Sequence, residues 1–497
     1  MNEQVYLAAD LGAESGRVMA GIWNGSTMRL EELHRFPNAS VWLGDTFRWD
    51  VLRLWSEIQT GLALGAKKFG GAVRSVGVDT WGVDFTLLSK TGELLGQPFV
   101  YRDARTRGMM DAAFQRVPKA EIYASTGIQF MEINTLYQLL ALQQQSPELL
   151  DAADTLLTIP DFLNFCLSGA KVGELSIAST TQCFDPRTKN WAHEMLNRFN
   201  LPTKIFPQIV APGTRIGKLR AATAQRTGLA QIEVVAPATH DTGSAVAAVP
   251  VSGSDGNWAY LSSGTWSLLG VETTEPQLSA AALAADLTNE GGVDGTWRVL
   301  KNVMGLWLVQ QCRRSFEARG GTTDYGQLVK LADAAPALRS LVDPNDPRFL
   351  NPSDMPKAIQ EFCRETNQAV PETEGALVRC ALESLALKYD SSLRGIVAVT
   401  GRKVDTIHIV GGGSRNNLLN QLTADATNCR VVAGPVEATA LGNLLTQARA
   451  FGEIKNLAEL RSIVRASSEV SEFAPHTTAQ FKWDEARARF AALEKRK

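Results

Sequence analysis

No apolar run in this chain approaches the roughly 20 residues that a membrane-spanning helix needs. The first residues, Met1-Asn2-Glu3-Gln4, lack the basic-then-apolar pattern of a secretory signal. Both absences point to the cytoplasm. Charge of one sign is also missing: the formal net charge of −2 is spread without a basic or acidic block, so neither nucleic acid nor an anionic membrane is an expected partner. Cysteine is sparse and unpatterned. Cys166, Cys183, Cys312, Cys363, Cys380 and Cys429 form no C-x-x-C spacing, and the five histidines do not cluster near them, so a zinc site is not expected. Reduced core thiols are the default, with a Cys363–Cys380 pair across a turn at Pro371 as the alternative. Neither G-x-x-x-x-G-K-[ST] nor G-x-G-x-x-G occurs, which removes the Walker and Rossmann fingerprints.

What is present is a soluble-enzyme composition, 44% hydrophobic and 21% charged over 497 residues, long enough for two domains of about 240 residues each. Two Gly-bearing turns stand out. Asp10-Leu11-Gly12-Ala13-Glu14-Ser15-Gly16-Arg17 lies between the β-forming runs 5–9 and 18–23, and Ser262-Ser263-Gly264-Thr265 lies between 258–261 and 266–271. Either could be a plain hairpin turn. As a pair they suggest a duplicated nucleotide-binding fold, because glycine lets backbone amides approach an anion and Ser or Thr hydroxyls add donors.

Along the chain β-like runs alternate with helical patterns in both halves, which defines an α/β protein. Runs 73–78 and 83–88 flank Asp79-Thr80-Trp81-Gly82, and 52–64 before them is amphipathic at helical spacing. Residues 134–144 read as a helix that stops or restarts at Ser146-Pro147. A strand at 232–236 leads into Thr239-His240-Asp241-Thr242, then a small-residue helix over 243–249 and a Gly-Ser-Asp-Gly turn at 253–256, with a domain junction near 245–256. A strand at 406–410 enters Gly411-Gly412-Gly413 ahead of a helix, a setting in which a helix N-terminus can hold a phosphate, or simply a flexible β-to-α turn. The small residues Ala438, Ala440 and Gly442 in the helical pattern 437–450 could lie flat on a base or on a sheet.

Asp241 is the candidate chemical centre. Phosphoryl transfer needs phosphates held in line, their charge neutralised, and a carboxylate to take the acceptor hydroxyl's proton. Asp241 follows a β run at the expected junction, although an N-cap role for the next helix is the commoner use of such an Asp. Asp10, at the end of the first strand, could reach Mg²⁺ directly or through water, or bond its own turn. His240 fits a site-shaping role better than that of base.

The stretches ADLGAESGRVM (9–19), DTWGVDF (79–85), YRDART (101–106), GIQF (127–130), NTLYQL (134–139), HDTGSAV (240–246), LSSGTWSL (261–268), TNEGG (288–292), VLKNVMGLWL (299–308) and HIVGGG (408–413) resemble, in order, the FGGY family of carbohydrate kinases. The resemblance implies two actin-like, ribonuclease-H-type domains with an interdomain catalytic cleft: 1–245 for the sugar and catalytic base, 246–480 mainly for ATP, and a tail helix over 481–497. It implies Asp241 as base, Ala13, Glu14, Ser15, Gly16 and Arg17 as the first ATP-phosphate loop, and Thr265, Gln310 and Gly412 as further ATP contacts. Gly82, His240, Asp241, Thr242 and Asn302 match sugar-binding positions, and Trp81, Phe130 and Trp307 are candidate apolar walls. The sequence departs from the family in carrying Glu14 where a small Ser is frequent, and in lacking Lys and Trp over 159–164. The implied reaction is ATP- and Mg²⁺-dependent phosphorylation of a ketose, L-rhamnulose at O1, in a monomer or homodimer. L-Fuculose or a pentulose is the alternative substrate, and an actin- or Hsp70-like ATP-binding protein the alternative class.

Overall fold

The computed structural model describes residues 3–252, 257–476 and 480–495; the turn expected at 253–256 lies outside the described residues. The chain folds into two units that are not contiguous in sequence. The first comprises 1–253, 272–299 and 437–468; the second comprises 254–271, 300–436 and 469–497.

The first unit is built on a six-stranded sheet in the spatial order Met28–Pro37, Ser15–Trp23, Gln4–Leu11, Val73–Thr80, Glu233–Ala236, Thr214–Lys218. Gln4–Leu11 is its central strand, buried from Val5 onward, which is why its sequence reads as a continuous apolar run rather than an alternation. It pairs antiparallel with Ser15–Trp23, placing Asp10 opposite Arg17, and parallel with Val73–Thr80, placing Asp10 beside Asp79. The helix Val51–Phe69, capped by Asp50 accepting from the Arg53 amide at 3.1 Å, covers this sheet.

In the second unit the strands follow the order Trp297–Met304, Trp266–Thr273, Trp258–Ser263, Thr406–Val410, Arg430–Ala433, Ser471–Phe473, the first of these entering the unit at Leu300. Here too the strand that opens the hairpin pairs antiparallel with its return strand and parallel with the next, and the far edge strand is antiparallel. From the hairpin to the far edge strand the two units therefore share one strand order and one pattern of direction. The duplication suggested by the paired glycine turns is a duplication of topology.

Most expected elements form within a residue or two of their sequence signals. The helix expected over 134–144 is Thr135–Gln145, and a new one, Pro147–Ala152, starts at the proline. One expectation is corrected. The strand anticipated over 83–88 covers only Phe85–Leu88, because Val83 takes a left-handed φ of 67° and turns the chain out of extended geometry.

The helical pattern 437–450 lies on the sheet, one of its two expected settings. The helix Ala438–Ala450 belongs to the first unit and lies against the helix Asp241–Ala247, with Gly442 so close to the Ser244 carbonyl that a Cβ would collide with it. Its small residues serve helix-on-helix contact and the adjoining strands. All six cysteines are free thiols, so Cys363 and Cys380 form no disulfide. Among the described residues no helix is long and apolar enough to cross a membrane. The last helix, Gln480–Glu494, is tied to the second unit through Glu494, which accepts from Lys388 and Ser391, both at 2.8 Å.

Replacing Gly442 by Val forces these two helices apart. We expect the first unit to lose about 1–3 kcal/mol, as overpacked interiors do, read as a lower denaturation midpoint than the parent chain.

Candidate active site

In the first unit the sheet ends and the Asp241–Ala247 helix gather four kinds of group: a glycine loop, three aspartates, one arginine and a buried histidine cluster. The loop is the turn between the first two strands, closed by the Gly12 amide donating to the Ser15 carbonyl at 2.9 Å. Asn38 clamps it. Its amide donates to the Glu14 carbonyl at 3.0 Å, and its side chain donates to the Gly12 carbonyl at 2.8 Å. Gly16 sits against the Phe36 ring with no room for a Cβ. The expected phosphate residues Ala13 to Arg17 are thus held in one loop whose shape is set from outside it.

Asp10 and Arg17 face each other across the hairpin. Arg17 donates to Asp10 Oδ2 from Nε at 3.0 Å and from its terminal nitrogen at 2.8 Å, and also ion-pairs with Glu437. These acids raise the Arg17 pKa further in spite of its burial. Asp79, fully buried at the end of its strand, accepts from Asn443 Nδ2 at 2.6 Å through Oδ2, while its Oδ1 has no hydrogen-bond donor. Burial first, then the nearby Asp10 and Asp241 charges, push the Asp79 carboxyl well above the ordinary range.

Asp241 is the first residue of its helix, and the residue in the capping position is His240, whose side chain makes no cap bond. The Asp241 carboxylate is instead held by Thr242, whose amide and hydroxyl donate to Oδ1 at 2.5 and 3.1 Å. That carboxylate retains about 30% exposure, so it is open to a ligand. Burial and the Asp10 charge raise its pKa, and His240 opposes them. The segment before it is fixed by Glu174, which accepts from the Thr239 amide and hydroxyl at 2.9 and 2.8 Å, and by Ser176, which accepts from the His240 amide at 3.1 Å.

Gly82 is brought to the same place. The Thr80 amide donates to the Thr239 carbonyl at 2.9 Å, and Thr80 bridges to His240 in parallel. Next to Gly82, the left-handed Val83 is pinned by Thr180, which accepts from its amide at 3.3 Å, and by the Thr135 hydroxyl, which donates to its carbonyl at 2.5 Å. Backbone strain of this kind persists only where the surroundings over-determine it, and it concentrates at functional sites. Behind the turn, Asp84 accepts from the Trp49 and Trp81 indoles at 2.6 and 3.0 Å and from Gln138 at 2.9 Å. Trp81 and Phe130, expected as apolar walls, are both buried: Trp81 packs 4.3 Å from Trp49 ring to ring, and Phe130 packs among Phe114 and Tyr123.

The second unit holds the other expected ATP residues. Thr265, in its hairpin turn, accepts from the Gly305 and Trp307 amides through its carbonyl at 3.1 and 3.2 Å, and Gln310 Nε2 reaches the Thr265 hydroxyl at 3.4 Å. The structure therefore joins Thr265 and Gln310, 45 positions apart. Trp307 opens the helix Trp307–Ala318 and donates to the Phe349 carbonyl at 3.1 Å, which makes it a core aromatic. Gly411 takes a φ of 85°, and the Gly413 Cα lies against Ser263, so the triple glycine is needed where the loop crosses the hairpin end. No atom stands within 4 Å of a Cβ built on Gly412, and the helix Asn417–Thr427 begins just beyond, capped by Asn416. Asn302 lies on the strand Trp297–Met304, its carbonyl accepting from Asn345 at 3.2 Å.

The residues that the sequence left without a role are Asn38, Asp79, Glu290, Arg298, Glu437 and Asn443. Two of them had a usable signal: Asp79, like Asp10, ends an apolar β run, and Glu290 lies in the stretch TNEGG (288–292). Among the described residues no group of three or more His, Cys, Asp or Glu forms a metal cage.

Residues 5–248 match the N-terminal domain and residues 259–451 the C-terminal domain of the FGGY family of carbohydrate kinases; this chain belongs to that family and is a carbohydrate kinase. It is 46% identical over 488 residues to a rhamnulokinase of Bacteroides thetaiotaomicron, covering 98% of this chain and 99% of that protein. A rhamnulokinase of Oceanobacillus iheyensis is 41% identical, with 96% and 99% covered. Solved structures of a gluconate kinase and a xylulose kinase from Lactobacillus acidophilus both superpose with a TM-score of 0.82 at 15% and 16% identity over 99% of this chain and 98% of theirs. At such low identity these two show the shared fold alone.

The Asp84 carboxyl is raised to about 6 by burial, against the hydrogen bonds it accepts. Its contribution to stability is therefore complete below the ordinary value near 4 and is lost as pH rises through about 6. Tryptophan fluorescence should change with a midpoint near pH 6, and this component should be absent in Asp84→Asn.

Proposed function

We propose that this kinase transfers the γ-phosphoryl group of ATP to O1 of L-rhamnulose, yielding L-rhamnulose 1-phosphate and ADP, in the cytoplasm and in the service of L-rhamnose breakdown. The observation that carries this reading is 41–46% identity over nearly the full length to proteins named rhamnulokinase, in a chain whose Asp241 is a partly exposed carboxylate beside two others.

Asp241 acts as the general base. It accepts the proton of the C1 hydroxyl as the new O–P bond forms and the bond to ADP breaks. Burial raises this carboxylate above its ordinary value, which makes it a stronger base than an exposed one, while His240 and Thr242 favour its charged form. Thr242 aims the carboxylate, and Gly82, His240 and Asn302 supply sugar contacts. ATP binding falls to Ala13, Glu14, Ser15, Gly16 and Arg17 in the first unit and to Thr265, Gln310 and Gly412 in the second. Because Arg17 is engaged by Asp10 and Glu437, the loop's contribution to phosphate binding comes from its backbone amides and the Ser15 hydroxyl.

Asp10 fits Mg²⁺. That ion keeps several waters and takes one or two carboxylates together with phosphate oxygens; Asp10 would supply one such carboxylate, and the undonated Oδ1 of neighbouring Asp79 a further acceptor. When bound, Mg²⁺ offsets the charge of the phosphates. Asp241→Asn should lower kcat with L-rhamnulose by about 10²–10⁴-fold while ATP affinity, measured by calorimetry, stays within about twofold of the parent. Near-parental turnover would sink the assignment of Asp241.

A further inference from the structure

The stretches 101–106 and 134–139 supply none of the residues assigned to ATP or to the sugar, yet each sends one buried polar side chain behind the Gly82 turn. Arg105 donates from Nη1 to the Gln138 carbonyl at 2.8 Å and from Nη2 to Gln138 Oε1 at 2.9 Å. Its guanidinium also lies 3.8 Å from the centre of the Phe99 ring. Burial lowers the Arg105 pKa to about 10, so the cation persists at neutral pH. A buried cation that directs its donors at an amide and not at a carboxylate is costly, and stability alone gives a poor reason to keep it. These residues all belong to the first unit.

We propose that Arg105 is a positioning residue for the sugar site: by fixing the side-chain amide of Gln138, it aims Nε2 at the Gly82 turn and holds that turn, with Trp81, in its sugar-binding shape. The proposal rests on Gly82 contacting the ketose. A glutamine amide can be turned end for end, and its partners decide which way it lies. Here they permit one orientation. Arg105 can only donate, so the atom facing it is Oε1; on the other side Nε2 faces the Asp84 carboxylate at 2.9 Å, the Ile133 carbonyl at 2.9 Å and the Val83 carbonyl at 3.3 Å. Reversed, the amide would set donor against donor at Arg105 and acceptor against acceptors at the turn. Asp84 carries the constraint onward. Its Oδ1 is taken by Gln138, and its Oδ2 by the Trp49 and Trp81 indoles at 2.6 and 3.0 Å, which can only donate. The Asp84 amide donates back to the Gly82 carbonyl at 2.9 Å, and the Thr135 hydroxyl shares the Val83 carbonyl with Gln138. Gly82 is therefore held through both of its neighbours. Val83, at a φ of 67°, is strained, so removing a donor to its carbonyl lets the turn relax away from this shape.

Two variants of the full-length protein test this. Arg105→Lys keeps the charge but, as a point donor, cannot serve both Gln138 oxygens in the same geometry. Gln138→Glu keeps an acceptor for Arg105 and removes both Nε2 hydrogens. Each should raise the KM for L-rhamnulose at least about tenfold, since a misplacement of about 1 Å costs up to about 10²-fold, while the KM for ATP stays within about twofold of the parent. A role in stability alone would lower the active fraction, and hence the apparent kcat, and leave both KM values parental. Indole ¹⁵N–¹H NMR, with the Trp81 signal assigned by its loss in Trp81→Phe, supplies a readout in the parent chain. L-Rhamnulose above its KM should shift that signal, and both variants should shift it without ligand while Trp307 of the second unit keeps its position. A parental KM for L-rhamnulose in folded Gln138→Glu would overturn the proposal. So would a Trp81 signal unmoved by L-rhamnulose in the parent, whether or not any variant folds. Turnover of a different ketose in place of L-rhamnulose would instead remove the substrate reading, and the same KM comparison with that ketose would then uphold or overturn the role of Arg105.

Discussion

Like charges crowd the ends of the central strands, and much of the first unit is arranged to tolerate them. Parallel register puts Asp10 beside Asp79, and the next helix adds Asp241 within range of both. Left alone, three carboxylates there would repel and take up protons. Arg17 answers Asp10 with two hydrogen bonds, Asn443 answers Asp79, and Thr242 and His240 answer Asp241. These partners leave one carboxylate partly exposed and two buried. A site of this kind is poised for a cation and a proton, the two things that phosphoryl transfer to a hydroxyl must place.

The remaining architecture follows from that need. Asn443 can reach Asp79 only because Gly442 lets its helix lie on the Ser244 carbonyl, and the same helix begins at the Glu437 that ion-pairs with Arg17. Glu174 and Ser176 fix the backbone of Thr239 and His240, while Thr180 and Thr135 hold the strained Val83 beside Gly82. In the second unit the same sheet topology carries a hairpin and a triple glycine.

The sequence shows the repeated part of this design clearly and the tuned part poorly. Both hairpins were visible because glycine turns stood between β-forming runs, and the helix after His240 because small residues follow a strand. Asp241 was singled out by that position, though its freedom from a capping role appears only when the helix is seen to begin at Asp241 itself. The late start of the strand expected over 83–88 was hidden, since nothing in a Val announces a left-handed φ imposed by Thr135 and Thr180. Helix 438–450 rests on the sheet, one of the two settings its small residues allowed, but its contact with the 241–247 helix was hidden, because that partner lies nearly two hundred residues upstream and no local pattern encodes it. Glu290 and Arg298 were passed over for the same reason: only the fold sets them beside His240.

The central claim is that the acid cluster serves a sugar hydroxyl and not water or a protein partner. Coupled measurement of ADP release by the full-length protein, with ATP and Mg²⁺ and a panel of ketoses, tests it most directly. The account predicts ADP release that depends on added sugar and is fastest, by kcat/KM, with L-rhamnulose. Equal release without any sugar would contradict the account, and a preference for L-fuculose or L-xylulose would leave a kinase of a different ketose.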